Sequence, residues 1–260
     1  MIDLSLIWIL IIGLGVLIYV VLDGFDLGIG ILFPFISDRQ ERDVMMNTVA
    51  PVWDGNETWM VLGGAGLFAA FPLVYSTVLS ALYMPIILMV IALIFRGVAF
   101  EFRFKANKTK HLWDQAFIWG SILSSFLQGV ILGAYIQGIE TTNGIYTGGG
   151  LDWLTPFSLF TGLSVVVLYA TLGCGWLIFK TEKMLQNRMF ELMPKLLISL
   201  LMIFACVSIY TPLAHPQIAE RWFSQPQLFY FSPVPVLVLL FTFLAIKACK
   251  QRKEFLPFIY

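Results

Sequence analysis

The amino-acid sequence predicts an all-α polytopic membrane protein with about seven transmembrane helices, forming one complete four-helix bundle and an incomplete second bundle. Three observations lead there. Of the 260 residues, 59% are hydrophobic and only 12% charged, whereas soluble domains carry about 25% charged residues. Apolar runs of roughly 20 residues, long enough to cross a bilayer, recur along the chain. Lysine and arginine also alternate from loop to loop.

The first span begins near Leu4. Met1-Ile2-Asp3 supplies no basic region and no small-residue cleavage site follows, so this span reads as retained rather than as a signal peptide. The run continues to Ile36, interrupted only by Asp23-Gly24-Phe25-Asp26. A straight helix of that length would reach about 50 Å against a hydrocarbon core of about 30 Å. The aspartates therefore lie toward one interface, or the helix tilts or breaks at Gly24. Pro34 should stop it. A charged loop from Ser37 to Asp43 follows.

Further spans are expected over about Glu57–Tyr75, Val78–Phe95, Asp114–Gln137, Pro156–Phe179, Pro194–Tyr210 and Pro233–Ala248. Asp54 and Glu57 have capping-box spacing at the second span's start. Gly63, Gly64, Gly66, Gly129 and Gly133 suit close helix packing. Thr155-Pro156 reads as an N-cap followed by proline at the first helical position. Residues 1–138 form the expected first bundle, 139–154 an external Gly/Thr-rich loop, and 155–260 the second bundle. The stretch Glu254 to Tyr260 reads as the start of another apolar segment.

Loop charge sets the orientation. The loops after the first, third and fifth spans, the C-terminal tail and the adjoining span ends hold nearly all sixteen basic residues, and the opposite loops hold only Arg221. The positive-inside rule puts the N-terminus outside and the C-terminus in the cytoplasm. The Asp23, Asp54 and Arg96 stretches then share the cytoplasmic side.

Other classes fall away. A net charge of zero argues against nucleic-acid binding. Cys174, Cys206 and Cys249 show neither metal spacing nor a disulfide framework and read as packing residues, as does Met45-Met46. Membrane haem needs facing imidazoles, but His111 and His215 fall in loops on opposite sides. Redox chemistry is therefore expected on another chain, with no metal bound here.

The candidate chemistry is protonic. Asp23 and Asp26 stand three apart on one helix face, and intramembrane carboxylates mark ion or proton pathways unless they are wet helix ends. Asp54 and Glu57 are either a helix cap or a proton entry. Arg96 either snorkels to the headgroups or is the counter-charge of Asp26, Asp54 or Glu101. Trp53 and Trp59 read as interfacial belt residues, and Gln128 as an interhelical hydrogen bond. These residues alone leave three readings open: an oxidase subunit, a proton-coupled secondary transporter and a structural scaffold.

Asp23-Gly24-Phe25-Asp26-Leu27-Gly28, Ala50-Pro51-Val52-Trp53-Asp54-Gly55-Asn56-Glu57-Thr58-Trp59 and Phe95-Arg96 through Glu101-Phe102-Arg103 resemble subunit II of cytochrome bd-type quinol oxidase. Leu127-Gln128-Gly129 and Gly148-Gly149-Gly150-Leu151-Asp152-Trp153-Leu154-Thr155-Pro156-Phe157 fit the same family. The resemblance covers the whole chain. It implies a heterodimeric oxidase of the bacterial inner membrane, with haems b and d and the quinol site on subunit I. Subunit II binds no haem, and in some members it holds a structural quinone. Small single-span subunits and membrane lipid are the further partners implied. By motif match Asp54 is the proton-path residue, with Asp23, Asp26, Glu57 and Arg96 behind it, and Trp59 stands near an oxygen route. Members of the family usually continue for one or two further spans, so the second bundle is expected to lack its fourth helix.

Overall fold

The computed structural model describes residues 4–214 and 216–260 of the chain. They are almost wholly helical, and six segments among them are long and apolar enough to cross a membrane. The chain is an all-α polytopic membrane protein. By contacts it divides into two compact units, 1–173 and 174–260.

In the first unit, α1 (Leu4–Leu32) runs unbroken through Gly24 and ends in a 3₁₀ turn at Phe33–Phe35 containing Pro34. Its early residues expose leucine and isoleucine, while every residue from Asp23 to Leu32 is buried. Burial there depends on glycine. A Cβ on Gly28 would run into the Tyr169 carbonyl and one on Gly24 into the Tyr169 ring, so the backbones meet closely.

The segment expected as a charged loop is in fact a helix, α2 (Arg39–Val49). Asp38 caps it, its carboxylate accepting from the Gln40 and Glu41 amides at 2.7 and 3.0 Å. Met45, Met46 and Val49 form its buried face, so the Met45-Met46 packing expectation holds.

Helix α3 (Trp53–Ala70) packs on α1, with Gly63 against Val16 and Gly66 against Ile12. It is the second of the seven expected spans and the one not among the six long apolar segments. Asp54, Asn56 and Glu57 in its opening turns leave it less apolar than the other six. Helix α4 (Pro72–Phe102) kinks at Leu82, whose φ of −117° and ψ of 18° lie three residues before Pro85. Proline lacks the N–H for the bond to residue 81, and its ring crowds that carbonyl.

Helix α5 (Lys110–Gln137) carries the predicted GxxxG. A Cβ on Gly129 would strike the Thr161 carbonyl and one on Gly133 the Ser158 Cα, which brings α6 (Pro156–Lys180) against it. Gly120 likewise faces Ala92 and Arg96 of α4. Buried Ser124 and Ser125 donate back to the carbonyls of Gly120 and Ser121, each at 2.7 Å. Between α5 and α6 the loop contains a small antiparallel hairpin, β1 (Thr141–Thr142) with β2 (Ile145–Tyr146). Its turn is Asn143-Gly144, with φ of 53° and 78°, the positive values that a tight hairpin turn demands. Thr155 caps α6 as expected, its hydroxyl accepting from the Ser158 amide at 3.0 Å.

In the second unit, α7 (Lys183–Ala214) starts well before the expected Pro194 and contains it. Short helices α8 (Pro216–Phe223) and α9 (Gln227–Phe231) precede α10 (Pro233–Lys250) and α11 (Leu256–Ile259). Lys180 lies over the rings of Trp176 and Phe179 at 5.0 and 4.7 Å. Arg252 donates to Asn187 at 2.8 Å. Cys174 and Cys249 are buried as packing residues, but Cys206 is exposed.

Candidate functional site

The conspicuous feature of the first unit is a buried polar cluster inside an apolar bundle. Tyr19, Asp23 and Asp26 stand at i, i+4 and i+7 on one face of α1. Asp23 and Asp26 have no solvent exposure, so neither is the wet helix end that their sequence position allowed. Arg96, also fully buried, reaches Asp23 Oδ1 with Nη1 at 2.6 Å and Glu57 Oε2 with Nη2 at 3.0 Å. The snorkelling reading of Arg96 is thereby corrected. Its counter-charges are Asp23 and Glu57, rather than Asp26, Asp54 or Glu101. Glu101 pairs on the surface with Lys105 at 3.3 Å.

Asp26 accepts from Asn56 Nδ2 at 2.8 Å. Asn56 and Glu57 are neighbours on α3, so one turn of that helix supplies both the donor to Asp26 and the second carboxylate of Arg96. Asp23 Oδ2, Asp26 Oδ1 and Arg96 Nε are buried without a hydrogen-bond partner among the described residues. Spare polar capacity of this kind is rare in native interiors.

Asp54 is not part of the buried group. It is exposed in the first turn of α3, and Asp54 and Glu57 form no capping box. The helix starts one residue before Asp54, with Val52 at the cap position and no side-chain cap bond. Arg96 claims the Glu57 carboxylate that a capping box would need. Trp53 stacks on Phe100, centroids 4.9 Å apart, and covers Gly97, so it is a packing residue of α3 on α4. Trp59 is half-buried.

Gln128 makes the expected interhelical bonds, and they belong to the same cluster. Its Nε2 donates to the Tyr19 hydroxyl at 2.8 Å, and the Tyr169 hydroxyl donates to its Oε1 at 2.6 Å. Tyr19, Asn56 and Tyr169 escaped the sequence reading. The spacing of Tyr19 to Asp23 was a usable signal, but Tyr169 is a lone tyrosine in an apolar span with nothing nearby to flag it.

A second ionic group ties the ends of α2, α4 and α5. Arg103 donates to Asp114 at 2.5 Å and to Asp43 at 2.6 Å. Lys110 reaches Asp43 at 2.9 Å and Arg42 reaches Asp114 at 3.2 Å. The guanidiniums of Arg42 and Arg103 lie 5.4 and 5.3 Å from the Phe33 ring centroid. Burial pushes the Asp43 carboxyl up. The hydrogen bonds from Lys110 and Arg103, with both charges, outweigh it and hold the group below the usual carboxylate range.

A separate cavity of about 420 Å³ lies at the α4 kink, lined by Ala81, Leu82, Ala134, Tyr146 and Trp153 among others. Its carboxylate Asp152 is already engaged by the Gly149 amide and the Tyr146 hydroxyl.

His111 is exposed in the first turn of α5, inside the helix rather than in the expected loop, and His215 lies outside the described residues. Among the described residues no group of three or more His, Cys, Asp or Glu gathers as a metal site.

The family model for cytochrome bd terminal oxidase subunit II matches residues 4–260. The chain belongs to that family. This bd-family chain is 36% identical over 191 residues to the probable cytochrome oxidase subunit 2 of Haemophilus influenzae, covering 70% of this chain and 50% of that protein. It is 34% identical over 197 residues to the cytochrome bd-I ubiquinol oxidase subunit 2 of Escherichia coli K12, covering 71% and 51%. It is 33% identical over 195 residues to the cytochrome bd ubiquinol oxidase subunit 2 of Bacillus subtilis, covering 73% and 57%. The bd-family chain thus spans about half the length of these relatives. Its fold is similar to a chain of the bd oxidase from Geobacillus thermodenitrificans, with a TM-score of 0.78 at 17% identity over 99% of this chain and 80% of that one.

Proposed function

We propose that this chain is the haem-free subunit of a bd-type quinol:oxygen oxidoreductase in the bacterial inner membrane. It acts beside a haem-bearing subunit I, which carries haems b and d and oxidises quinol. The N-terminus lies outside and the C-terminus in the cytoplasm, in keeping with loop charge. The chain's own part is to bring protons toward the partner's oxygen chemistry. Trp59 flanks an oxygen route, and a structural quinone is a further ligand that the family reading admits. The alternative of a proton-coupled transporter finds no support in the family match.

One observation supports the proton role above the others: three carboxylates, Asp23, Asp26 and Glu57, gather around one fully buried guanidinium, that of Arg96. Ionising all three would leave two negative charges uncompensated in a medium of low dielectric, which is prohibitive. Such a cluster exchanges protons rather than holding fixed charges. The route starts at exposed Asp54. It passes to Glu57, three residues on and on the same helix face, and enters the Arg96 cluster.

The test uses the oxidase assembled with its haem-bearing partner. Asp54→Asn and Glu57→Gln keep shape and remove a proton carrier. Both should slow oxygen consumption at unchanged haem content. Turnover equal to the parent at every pH would leave the carboxylates with a scaffold role only.

A further inference from the structure

Tyr19 of α1, Gln128 of α5 and Tyr169 of α6 form the uncharged edge of the same cluster. The two tyrosines are 6% and 1% exposed. A primary amide has one donating end and one accepting end, so the bonds through Gln128 run in one direction. Tyr169 gives its proton to Oε1, and Nε2 gives one to the Tyr19 oxygen. The Tyr19 O–H must then point elsewhere. Asp23, four residues on along the same face of α1, offers Oδ2, which is buried and takes no hydrogen bond from the described residues. Turning the amide over would draw the Tyr19 proton onto Gln128 and leave a hydroxyl oxygen facing a buried carboxylate oxygen. That arrangement forfeits a charge-assisted bond and is the costlier one.

We propose that Tyr169, Gln128 and Tyr19 form a one-directional hydrogen-bond chain ending on Asp23, with Gln128 the positioning residue that aims the Tyr19 proton at that carboxylate. The chain keeps Asp23 as the standing anionic partner of Arg96. Glu57, on the other arm of the same guanidinium and 23% exposed, is then the carboxylate that exchanges its proton. The groups facing Asp23 are Arg96 from α4, Glu57 from α3, Tyr19 and Asp26 from α1, and Tyr169 from α6, and Asn56 of α3 bonds its neighbour Asp26. Gln128 acts on it only through Tyr19. The proposal rests on the proton-access reading of this cluster and adds a division of labour to it.

The experiment compares Tyr19→Phe, Gln128→Leu and Glu57→Gln in the assembled oxidase. Three quantities are followed: haem content, the pH profile of oxygen consumption, and the infrared stretch of protonated carboxyls with and without isotope-labelled aspartate. In Tyr19→Phe and Gln128→Leu an aspartate-labelled band should appear at neutral pH and vanish when Asp23→Asn is added. The pH profile should move by about one pH unit, with haem content unchanged. Packing residues would leave band and profile at parent values, and that result in both variants overturns the proposal. If Tyr19→Phe does not assemble, Tyr169→Phe and Gln128→Leu carry the same readouts. A new band with turnover unmoved in both Tyr19→Phe and Glu57→Gln removes the proton-access reading but keeps the chain. A slowed Glu57→Gln with silent Tyr19→Phe and Gln128→Leu does the reverse.

Discussion

Arg96 and Asp23 form an ion pair, Nη1 to Oδ1 at 2.6 Å, in which neither side chain has any solvent exposure. One guanidinium fork joins α4 to α1 through Asp23 and to α3 through Glu57. Its planar fork aims separate N–H groups at two carboxylates in fixed directions, a geometry that a lysine ammonium does not reproduce.

Removing either partner should be severe. Truncating one side of a buried pair leaves an uncompensated charge and costs about 3–5 kcal/mol. Asp23→Ala and Arg96→Ala are expected to lower the melting temperature and yield of the assembled complex. Arg96→Lys should retain one arm and be intermediate. Thermal denaturation of the three variants checks the order, and an unaffected Asp23→Ala would contradict it.

Gly28→Ala should be more disruptive than its single added methyl suggests. The new carbon would meet the Tyr169 carbonyl, and backbone cannot swing aside as a side chain can. Gly64→Ala is the control: nothing lies within 4 Å of its Cβ position. That change should be neutral or stabilise α3 by up to about 1 kcal/mol. Equal losses in both variants would show that space at Gly28 is not the reason.

The Asp43 ion pairs should lend acid sensitivity. Folding lowers this carboxyl below its ordinary value, so its contribution is present above the unfolded value of about 3.9 and is lost as pH falls through the lower folded one. The melting difference between parent and Asp43→Asn should hold near pH 7 and close as pH drops below about 4. A difference that persists unchanged at about pH 3 would assign the effect to packing.

Thr155→Ala removes the hydroxyl that caps α6 and should destabilise by about 1 kcal/mol. Thr155→Ser should restore most of this in a chemical denaturation series. Failure of serine to rescue would point to the methyl group instead.

Much of the fold was legible in one dimension. Apolar runs located the long helices, Pro34 ended α1, and Gly129 and Gly133 marked the close approach of α5 to α6. The hairpin at Asn143-Gly144 was missed in a segment read only as a Gly/Thr-rich loop: that dipeptide favours positive φ, but strands of two residues each leave no alternation to detect. Helix α2 was missed because its charged face outweighs Met45, Met46 and Val49 in composition. The kink at Leu82 needed Pro85 to be weighed against its own helix.

The sequence by itself determined that this is a helical membrane protein, that carboxylates and an arginine stand in its spans, and which family it resembles. Those properties depend on residue type and spacing within one helix. Tertiary structure alone decided the pairing. Arg96 meets Asp23 and Glu57 across gaps of 73 and 39 residues, and Gln128 joins Tyr19 to Tyr169 across gaps of 109 and 41. Which helix faces meet depends on where backbones approach, at Gly28, Gly120 and Gly129, and on the high cost of leaving a buried charge alone. No local periodicity encodes either condition.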